Sequence, residues 1–340
     1  MHSIPYRTKM RLKAGLKTTL IILAVLLVLD ALAIIYLGRY VVYGEDGVRI
    51  DFDRSTGKTV DPSELMRTEE ASVPEVELIY GDPKTNETGA ELFSGYYIDT
   101  AMLQNPDEVL SALQALDGPC TVMIDLKSRS GSFYYSTGIE GAVTADSIDV
   151  SQVDEIVSYL RANGFTTIAR VKSFCDTNFA LEHISSGIPT SETALWRDRN
   201  GYFWIDPEDE LVIEYLKQIV AELSGKGFRE IVLDEFYYPE SSQILYTSEK
   251  TKTELVNDAA QQLVRYFLNT NITISFGDPH PGFSVQSESA RIYLSGVDGS
   301  GVSDALATYG GGEDGTSRLV FLTSSRDTRF EGCSLLRPLL

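Results

Sequence analysis

Cysteine and histidine are both scarce in this sequence, and their scarcity excludes several classes of site. Cys120, Cys175 and Cys333 are the three cysteines in 340 residues, with no CxxC spacing, and the three histidines form no paired-ligand spacing. Zinc sites and dithiol redox centres need closely spaced pairs of these residues. We therefore predict no metal site and no bound cofactor. One disulfide stays open as an alternative to buried free thiols, which are favoured.

The sequence also lacks a GxGxxG motif after a first strand, the usual signature of dinucleotide binding. Basic residues are few: the sequence has 29 Lys and Arg but 49 Asp and Glu, which gives a net charge of -20. The first forty residues contain six basic residues and one acidic residue, so the rest of the chain is more acidic still. Because such a surface repels nucleic acid and anionic lipid, we expect no nucleic-acid partner.

One long apolar run, residues 18–38, lies near the N-terminus with Asp30 as its single charge. A helix of about 20 apolar residues spans a bilayer, so the run predicts a single transmembrane anchor. Basic residues precede it and acidic sequence follows, which places the N-terminus in the cytoplasm and the body outside the cell membrane. A cleaved signal peptide is the alternative, because Ala31-Leu32-Ala33 resembles a cleavage site, but the apolar run continues to Leu37.

The predicted anchor separates a short basic tail from a long acidic body. Behind the anchor, a polar stalk contains apolar stretches at 41–43 and 76–80 that favour short strands. The predicted segments are a cytoplasmic tail (1–17), the anchor (18–38), an acidic stalk (39–92) and one folded domain (93–340).

Within the folded domain, short β-rich segments alternate with helical patterns, which is typical of a parallel sheet with crossover helices. Eight strands predict a (β/α)8 TIM-type barrel that is abbreviated in its C-terminal third, where no helix follows the fifth strand. A doubly wound open sheet is the alternative. The predicted strands are 95–99, 121–126, 167–171, 230–234, 272–276, 291–294, 319–323 and 334–337, and the predicted helices are 106–116, 153–163, 208–224 and 251–268.

Charged residues cluster where the predicted strands end. The carboxyl ends of all strands in a parallel barrel face one mouth, and burying charges there is costly unless they pair. We therefore expect one compensated network. It is either a functional site or a set of ion pairs that only hold the mouth together, such as Asp125 with Lys127 or Arg170 with Asp234. Its members are Asp125, Lys127, Arg170, Lys172, Asp234, Glu235 and Asp278.

An acidic pair beside aromatic residues ends the fourth strand. Asp234 and Glu235 directly precede Phe236-Tyr237-Tyr238. Sugar rings stack their apolar CH faces on aromatic planes, and their hydroxyl groups donate hydrogen bonds to carboxylates. The pattern favours a carbohydrate ligand.

Residues 196–207 contain both tryptophans of the chain, Trp196 and Trp204. Asn200-Gly201 predicts a tight hairpin turn that brings the two indoles into one region, as a wall of the barrel mouth. Asp206-Pro207 is typical of a helix N-cap followed by the first helical residue. Asp206 is nevertheless also a candidate carboxylate for the site.

Four blocks in this order resemble the glycoside hydrolase-like TIM-barrel family of bacterial envelope proteins. The resemblance covers about residues 92–240 and implies a (β/α)-barrel, a polysaccharide or cell-wall glycan as substrate, and glycoside hydrolysis. The blocks are VMIDLK at 122–127 with Ser130-Gly131, TIARV at 167–171, WRDRNGYFWIDP at 196–207, and EIVLD at 230–234 closing at Pro239.

The sequence departs from that family at the fourth and sixth strands. The family usually has Tyr after the fourth-strand Asp and Arg two residues later, where this chain has Glu235 and Tyr237. The family's Ser-Pro-Met and Tyr-Pro motif has no counterpart in residues 292–296. Three functions therefore stay open: a membrane-anchored glycoside hydrolase, a non-catalytic glycan-binding barrel, and an envelope scaffold.

Glycoside hydrolysis needs two carboxyl groups that flank the scissile bond. Asp234 is the first candidate. Glu235 is its neighbour, and alternate strand residues face opposite ways, so both enter one site only if the strand ends or bulges there. Asp206, Asp125 and Asp278 are further candidates for the second carboxyl group. We predict Asp234, Glu235 and Asp206 as catalytic, and Asp125, Lys127, Arg170, Lys172, Trp196, Trp204, Tyr237 and Asp278 as substrate-binding.

Overall fold

The computed structural model describes the backbone of two short strands and nearly all of the folded domain predicted at 93–340. The chain divides into two compact units, Met1–Asp82 and Pro83–Leu340. The described residues are 41–44 and 47–50 in the first unit, and 92–310 and 315–340 in the second.

In the first unit, the strands Val41–Gly44 and Gly47–Ile50 pair antiparallel. The first of them confirms the strand predicted at 41–43. The predicted anchor at 18–38 and the stretch at 76–80 lie outside the described residues. Within the part of the chain that is described, no helix has the length and apolar character needed to cross a bilayer.

The second unit is built on eight parallel strands that close into a barrel. The last strand pairs with the first, so the sheet has no open edge. The doubly wound open sheet is therefore wrong, and the barrel prediction is confirmed. The strands are β1 (Ser94–Ile98), β2 (Thr121–Lys127), β3 (Thr166–Lys172), β4 (Glu230–Asp234), β5 (Thr273–Gly277), β6 (Ile292–Ser295), β7 (Leu319–Leu322) and β8 (Ser334–Pro338).

Helices connect most of these strands, and the longer ones bury an apolar stripe against the outside of the barrel. No helix joins β5 to β6, and a single 3-10 turn, Thr328–Phe330, lies between β7 and β8. The predicted abbreviation of the C-terminal third is thus observed. The helices are α1 (Pro106–Gln114), α2 (Val150–Ala162), α3 (Thr177–Glu182), α4 (Glu210–Gly225), α5 (Lys252–Tyr266), α6 (Val302–Tyr309) and α7 (Gly315–Arg318).

The barrel lumen is filled by side chains rather than open. At its floor, Glu230 accepts hydrogen bonds from Ser275 Oγ (2.6 Å) and Tyr293 OH (2.8 Å), and it pairs with Arg291 at 2.9 Å. The floor lies at the amino ends of the strands, the side of such barrels that serves stability. Above it, the lumen is packed with Met123, Ile168, Val232, Tyr293, Val320, Leu322 and Leu336.

Helix α4 begins later than its sequence predicts. Its N-cap is Asp209, which accepts a hydrogen bond from Leu211 N, so Asp206 does not cap this helix. The sequence DPEDE offers several acids at the helix start, and the last Asp takes the cap. Asp206 instead accepts a hydrogen bond from Glu208 N in the turn that precedes it. The three cysteines are free, and Cys175 is buried.

Gly95 is required where β1 and β2 approach each other. A Cβ atom at this position would lie 2.0 Å from the carbonyl oxygen of Thr121, which is backbone and cannot move aside. We expect Gly95→Ala to lower the free energy of unfolding by about 1–3 kcal/mol, as overpacking does. Gly118→Ala is the matched control, since a Cβ there meets nothing within 4 Å. Equal urea midpoints for the two variants would contradict this prediction.

Candidate functional site

The barrel mouth holds a connected network of charged side chains at the carboxyl ends of β2, β3 and β4. Arg170 binds Asp125 with two hydrogen bonds, Nε to Oδ1 at 2.5 Å and Nη2 to Oδ2 at 2.9 Å. Its Nε also lies 3.7 Å from Asp234 Oδ2. Lys172 Nζ lies 2.6 Å from the same Asp234 oxygen. The structure therefore brings these four predicted residues together, including the predicted pair of Arg170 with Asp234.

Glu235 enters the same network because the strand ends at Asp234. Glu235 has a φ of +52°, a left-handed conformation that is uncommon for a residue with a side chain. The strand alternation is broken there, and Lys172 Nζ lies 3.4 Å from Glu235 Oε1 as well as against Asp234. One ammonium group thus contacts both acids, so their carboxylates lie close together at the mouth.

Arg129 forms a second ion pair with Glu235 and was not among the residues predicted from the sequence. Its Nε lies 2.7 Å from Glu235 Oε1, and its Nη2 lies 4.0 Å from Asp198 Oδ2. The guanidinium also lies over the ring of Tyr202, 5.3 Å from its centroid. The available signal was its position two residues beyond the strand-ending Lys127, in the loop that rims the mouth.

Asp278 lies beside Asp234 at the end of the neighbouring strand β5. Its φ is +43°, a second left-handed acidic residue at the mouth. A Cβ at the preceding Gly277 would approach Asp234 Oδ1 to 2.5 Å, so only glycine fits between the two acids. Asp278 Oδ1 accepts a hydrogen bond from Ser295 N at 2.8 Å. Strained backbone of this kind costs about 1–3 kcal/mol per residue and concentrates at functional sites.

The two neighbouring acids have pKa values shifted in opposite directions. Burial opposes ionisation of Asp234, but the attraction of Lys172 and Arg170 outweighs it and lowers the Asp234 pKa. Burial, reinforced by the negative charge of Asp234, raises the pKa of Asp278. A carboxyl group whose pKa is raised beside a buried negative charge suits the role of a proton donor.

Stability should depend on pH through Asp234. Its pKa is lower in the folded state than its usual 3.8, so it stabilises the fold fully above that value and loses this contribution as pH falls through the folded pKa. We expect Asp234→Asn to lose roughly 2 kcal/mol at pH 7, because hydrogen bonds to a charged group are replaced by neutral ones. The difference from wild type should shrink in urea titrations towards pH 3. A difference that stays constant with pH would contradict this assignment.

Lys127 does not join Asp125, which corrects the predicted Asp125–Lys127 ion pair. The register of β2 against β3 shifts between these two residues, so Lys127 leaves the mouth and points under the surrounding helices. Its Nζ lies 2.7 Å from Asp176 Oδ2, with both side chains fully buried, and donates to the carbonyl oxygen of Lys172 at 2.8 Å. Tyr215 OH donates to Asp176 at 2.9 Å.

Asp176 was missed by the sequence analysis. It is the N-cap of α3, where it accepts a hydrogen bond from Phe179 N. The sequence pair Asp176-Thr177 was a usable cap signal. Nothing local to it indicated a buried lysine partner.

The tryptophan segment forms the predicted hairpin, closed by the bridge between Arg197 and Phe203. Both indoles are nevertheless packed inward: Trp196 is 8% exposed and Trp204 is 2% exposed. Trp204 donates to Asp198 Oδ2 at 3.3 Å, and its ring lies 5.0 Å from that of Tyr237. The hairpin thus contacts the mouth in two ways: its Asp198 lies near Arg129, and its Trp204 packs against Tyr237.

Asp206 stands apart from this network. Among the described contacts, no hydrogen bond or ion pair joins it to Asp234, Glu235 or Asp278, and burial raises its pKa. No group of three His, Cys, Asp or Glu side chains in the described part of the chain is arranged to hold a metal ion.

A known family matches the part of the chain that builds this mouth. Its sequence model, described as "Putative glycosyl hydrolase domain", covers residues 95–275, from β1 to β5. No curated protein sequence is significantly similar to the chain.

Several solved structures are distantly similar. A hypothetical protein from Ruminiclostridium thermocellum ATCC 27405 is 19% identical, with 54% of this chain and 96% of that one covered and a TM-score of 0.46. The chitobiase of Flavobacterium johnsoniae is 14% identical, with 68% and 38% covered and a TM-score of 0.46, so the chain spans well under half its length. The glycoside hydrolase domain of PelA from Pseudomonas aeruginosa is 16% identical, with 68% and 83% covered and a TM-score of 0.38. Likenesses this distant do not bear on substrate or reaction.

Proposed function

Because the chain belongs to the glycosyl hydrolase domain family whose model spans residues 95–275, we propose that it hydrolyses a polysaccharide or cell-wall glycan with Glu235 and Asp278 as its carboxyl pair. The observation that carries the proposal is the left-handed backbone of these two acids, each directly after the end of one of two adjacent strands. The backbones of neighbouring strands lie about 5 Å apart, so the two acids start from adjacent positions at one mouth, as the carboxyl pair of a retaining hydrolase requires.

The two acids have environments suited to different roles. Burial and the charge of Asp234 raise the pKa of Asp278, which suits it to donate a proton to the leaving oxygen. Glu235 is positioned by its ion pairs with Arg129 and Lys172, and it attacks the anomeric carbon to form the glycosyl-enzyme intermediate. Asp278, now ionised, then activates the water that breaks that bond and recovers its proton.

Asp234 supports the pair from below. Its side chain is 1% exposed, so it does not meet a sugar directly in this structure. It anchors Lys172 and Arg170, whose positive charges face the mouth, and its own charge raises the pKa of Asp278. We assign Asp234 a positioning role, with Arg170 and Asp125 as part of the same support.

A non-catalytic glycan-binding barrel is the second candidate. It is favoured by the close pairing of Asp125, Asp234 and Glu235 with cations, which an unreactive structural network would also show. Measuring turnover separates it from a hydrolase, because both would bind glycan.

The test is incubation of the full chain, purified in detergent, with a panel of cell-wall and capsular polysaccharides, followed by mass analysis of released sugars. We expect cleavage with retained anomeric configuration in the first NMR spectra after mixing, and its loss in Glu235→Gln. Glu214→Gln is the control, because Glu214 lies on the outer face of α4 with only a surface pair to Lys217. Binding without cleavage by wild type would favour the binding module.

We further propose that residues 18–38 anchor the protein in the cell membrane with the barrel outside. The apolar run and the basic residues before it support this topology. The full chain is expected to sediment with membranes and to be degraded by protease added to intact spheroplasts, while a chain lacking residues 1–38 stays soluble. Loss of an N-terminal tag from the mature protein would instead identify a cleaved signal peptide.

A further inference from the structure

A cavity that opens to solvent lies between the β4 and β5 loops and the start of α5. We call it the rim cavity. Tyr237 and His280 line it, and each lies two residues beyond one of the proposed catalytic acids, Glu235 and Asp278.

Aromatic groups form one side of the rim cavity. The His280 imidazole is stacked on the Tyr237 ring, with centroids 4.0 Å apart and planes 13° apart. Burial lowers the pKa of His280 below 6.5, so the ring is neutral at pH 7. Tyr238 and Phe283 extend the aromatic lining. Such planes stack on the CH face of a sugar and do not require charge on it.

An ion pair forms the polar side. Lys252 Nζ lies 2.8 Å from Glu240 Oε2 and donates to the carbonyl oxygen of Pro239 at 3.1 Å. The ammonium donates hydrogen bonds and the carboxylate accepts them, which matches two neighbouring hydroxyl groups on one ring. Because the two charges cancel, the cavity offers no unpaired cation to an anionic sugar.

We propose that the rim cavity is a subsite for an uncharged sugar residue with neighbouring hydroxyl groups, next to the bond that is cleaved. The proposal rests on the proposed function for its position along the glycan. It goes further by stating the class of substrate, namely a neutral polysaccharide rather than a uronic acid polymer or a teichoic acid.

The experiment measures binding of the full chain to cellotetraose, mannotetraose, chitotetraose and tetragalacturonate by isothermal titration calorimetry. We expect at least one neutral tetrasaccharide to bind, and tetragalacturonate to bind about tenfold more weakly or not at all. Thr253→Trp, at an exposed position in the cavity lining, should fill the cavity and weaken neutral binding by about tenfold.

Reversing the charge of Glu240 should increase the affinity for an anionic sugar. Glu240→Lys leaves two unpaired cations in the cavity and should raise the affinity for tetragalacturonate by about tenfold. Glu288→Lys makes the same charge change at an exposed residue that is not in the cavity lining, and should leave both affinities unchanged.

The outcomes separate the subsite from the hydrolase. Three results would each overturn the subsite. They are unchanged binding of neutral tetrasaccharides in Thr253→Trp, wild-type binding of tetragalacturonate that is as tight as binding of the neutral tetrasaccharides, and no binding of any probe. If Thr253→Trp abolishes neutral binding but wild type cleaves nothing, the subsite stands and the hydrolase fails. If a glycan is cleaved equally by wild type and Thr253→Trp, the hydrolase stands and the subsite fails.

Discussion

Replacement of Asp278 by asparagine is expected to lower kcat on the natural glycan by about 10²–10⁴-fold, the range that a general acid contributes. Asparagine is isosteric with aspartic acid and tolerates the left-handed backbone at this position, so the fold should be retained. The variant lacks the proton that Asp278 supplies to the leaving oxygen. An aryl glycoside whose leaving group needs no proton should therefore be cleaved with a much smaller loss.

The pH profile gives an independent measure of the same role. Acid catalysis requires protonated Asp278, so wild-type kcat should fall as pH rises through the raised pKa of this group. The Asp278→Asn variant should lose that alkaline limb. Asp304→Asn, an exposed aspartate at the start of α6, is the control and should keep the wild-type profile. An unchanged alkaline limb in Asp278→Asn would assign the acid to another residue.

Lys127→Met is expected to reduce the free energy of unfolding by about 3–5 kcal/mol, because it leaves the Asp176 carboxylate buried without its cation. Both side chains of this pair have no exposed surface. Methionine fills much of the same volume, so the loss is electrostatic rather than a cavity effect. Tyr215 OH and Phe179 N still bind Asp176, but neither carries a charge.

Urea unfolding of the full chain measures this loss, with Lys217→Met as the control. Lys217 forms a 3.4 Å pair with the half-exposed Glu214 and lies 4.6 Å from the centroid of the exposed Tyr266 ring, and surface contacts of these kinds contribute about 0–1 kcal/mol each. A loss in Lys127→Met no larger than in the control would contradict a stabilising role for the buried pair. Lys127 also holds the carbonyl of Lys172, so the surviving folded fraction should bind glycan less well.

The barrel strands were predictable because each is a short apolar run with its own local signal. The prediction at 230–234 matches β4 to the residue, and the others differ from the structure by at most one residue at either end. Closure was not predictable in the same way. It depends on pairing between Ser94–Ile98 and Ser334–Pro338, two strands at opposite ends of the domain whose contact leaves no local pattern.

The site was predictable to the extent that it is built from strand ends. Asp125, Arg170, Lys172, Asp234 and Glu235 meet as expected because parallel strands deliver their last residues to one mouth. The bulge that redirects Lys127 could not be predicted, since a one-residue register shift follows from packing and not from composition. Arg129 and Asp176 lie in loops, where side-chain direction is set by distant partners.

The packed lumen has a consequence for how a long polymer is handled. Met123, Val232 and Leu336 fill the barrel axis and Glu230 closes its floor, so the described residues leave no tunnel along the barrel. A polysaccharide that is cut at the barrel mouth must release both fragments from the same mouth at which it bound. The protein is then expected to dissociate after each cut rather than slide processively, and early digests should contain a broad ladder of fragment lengths.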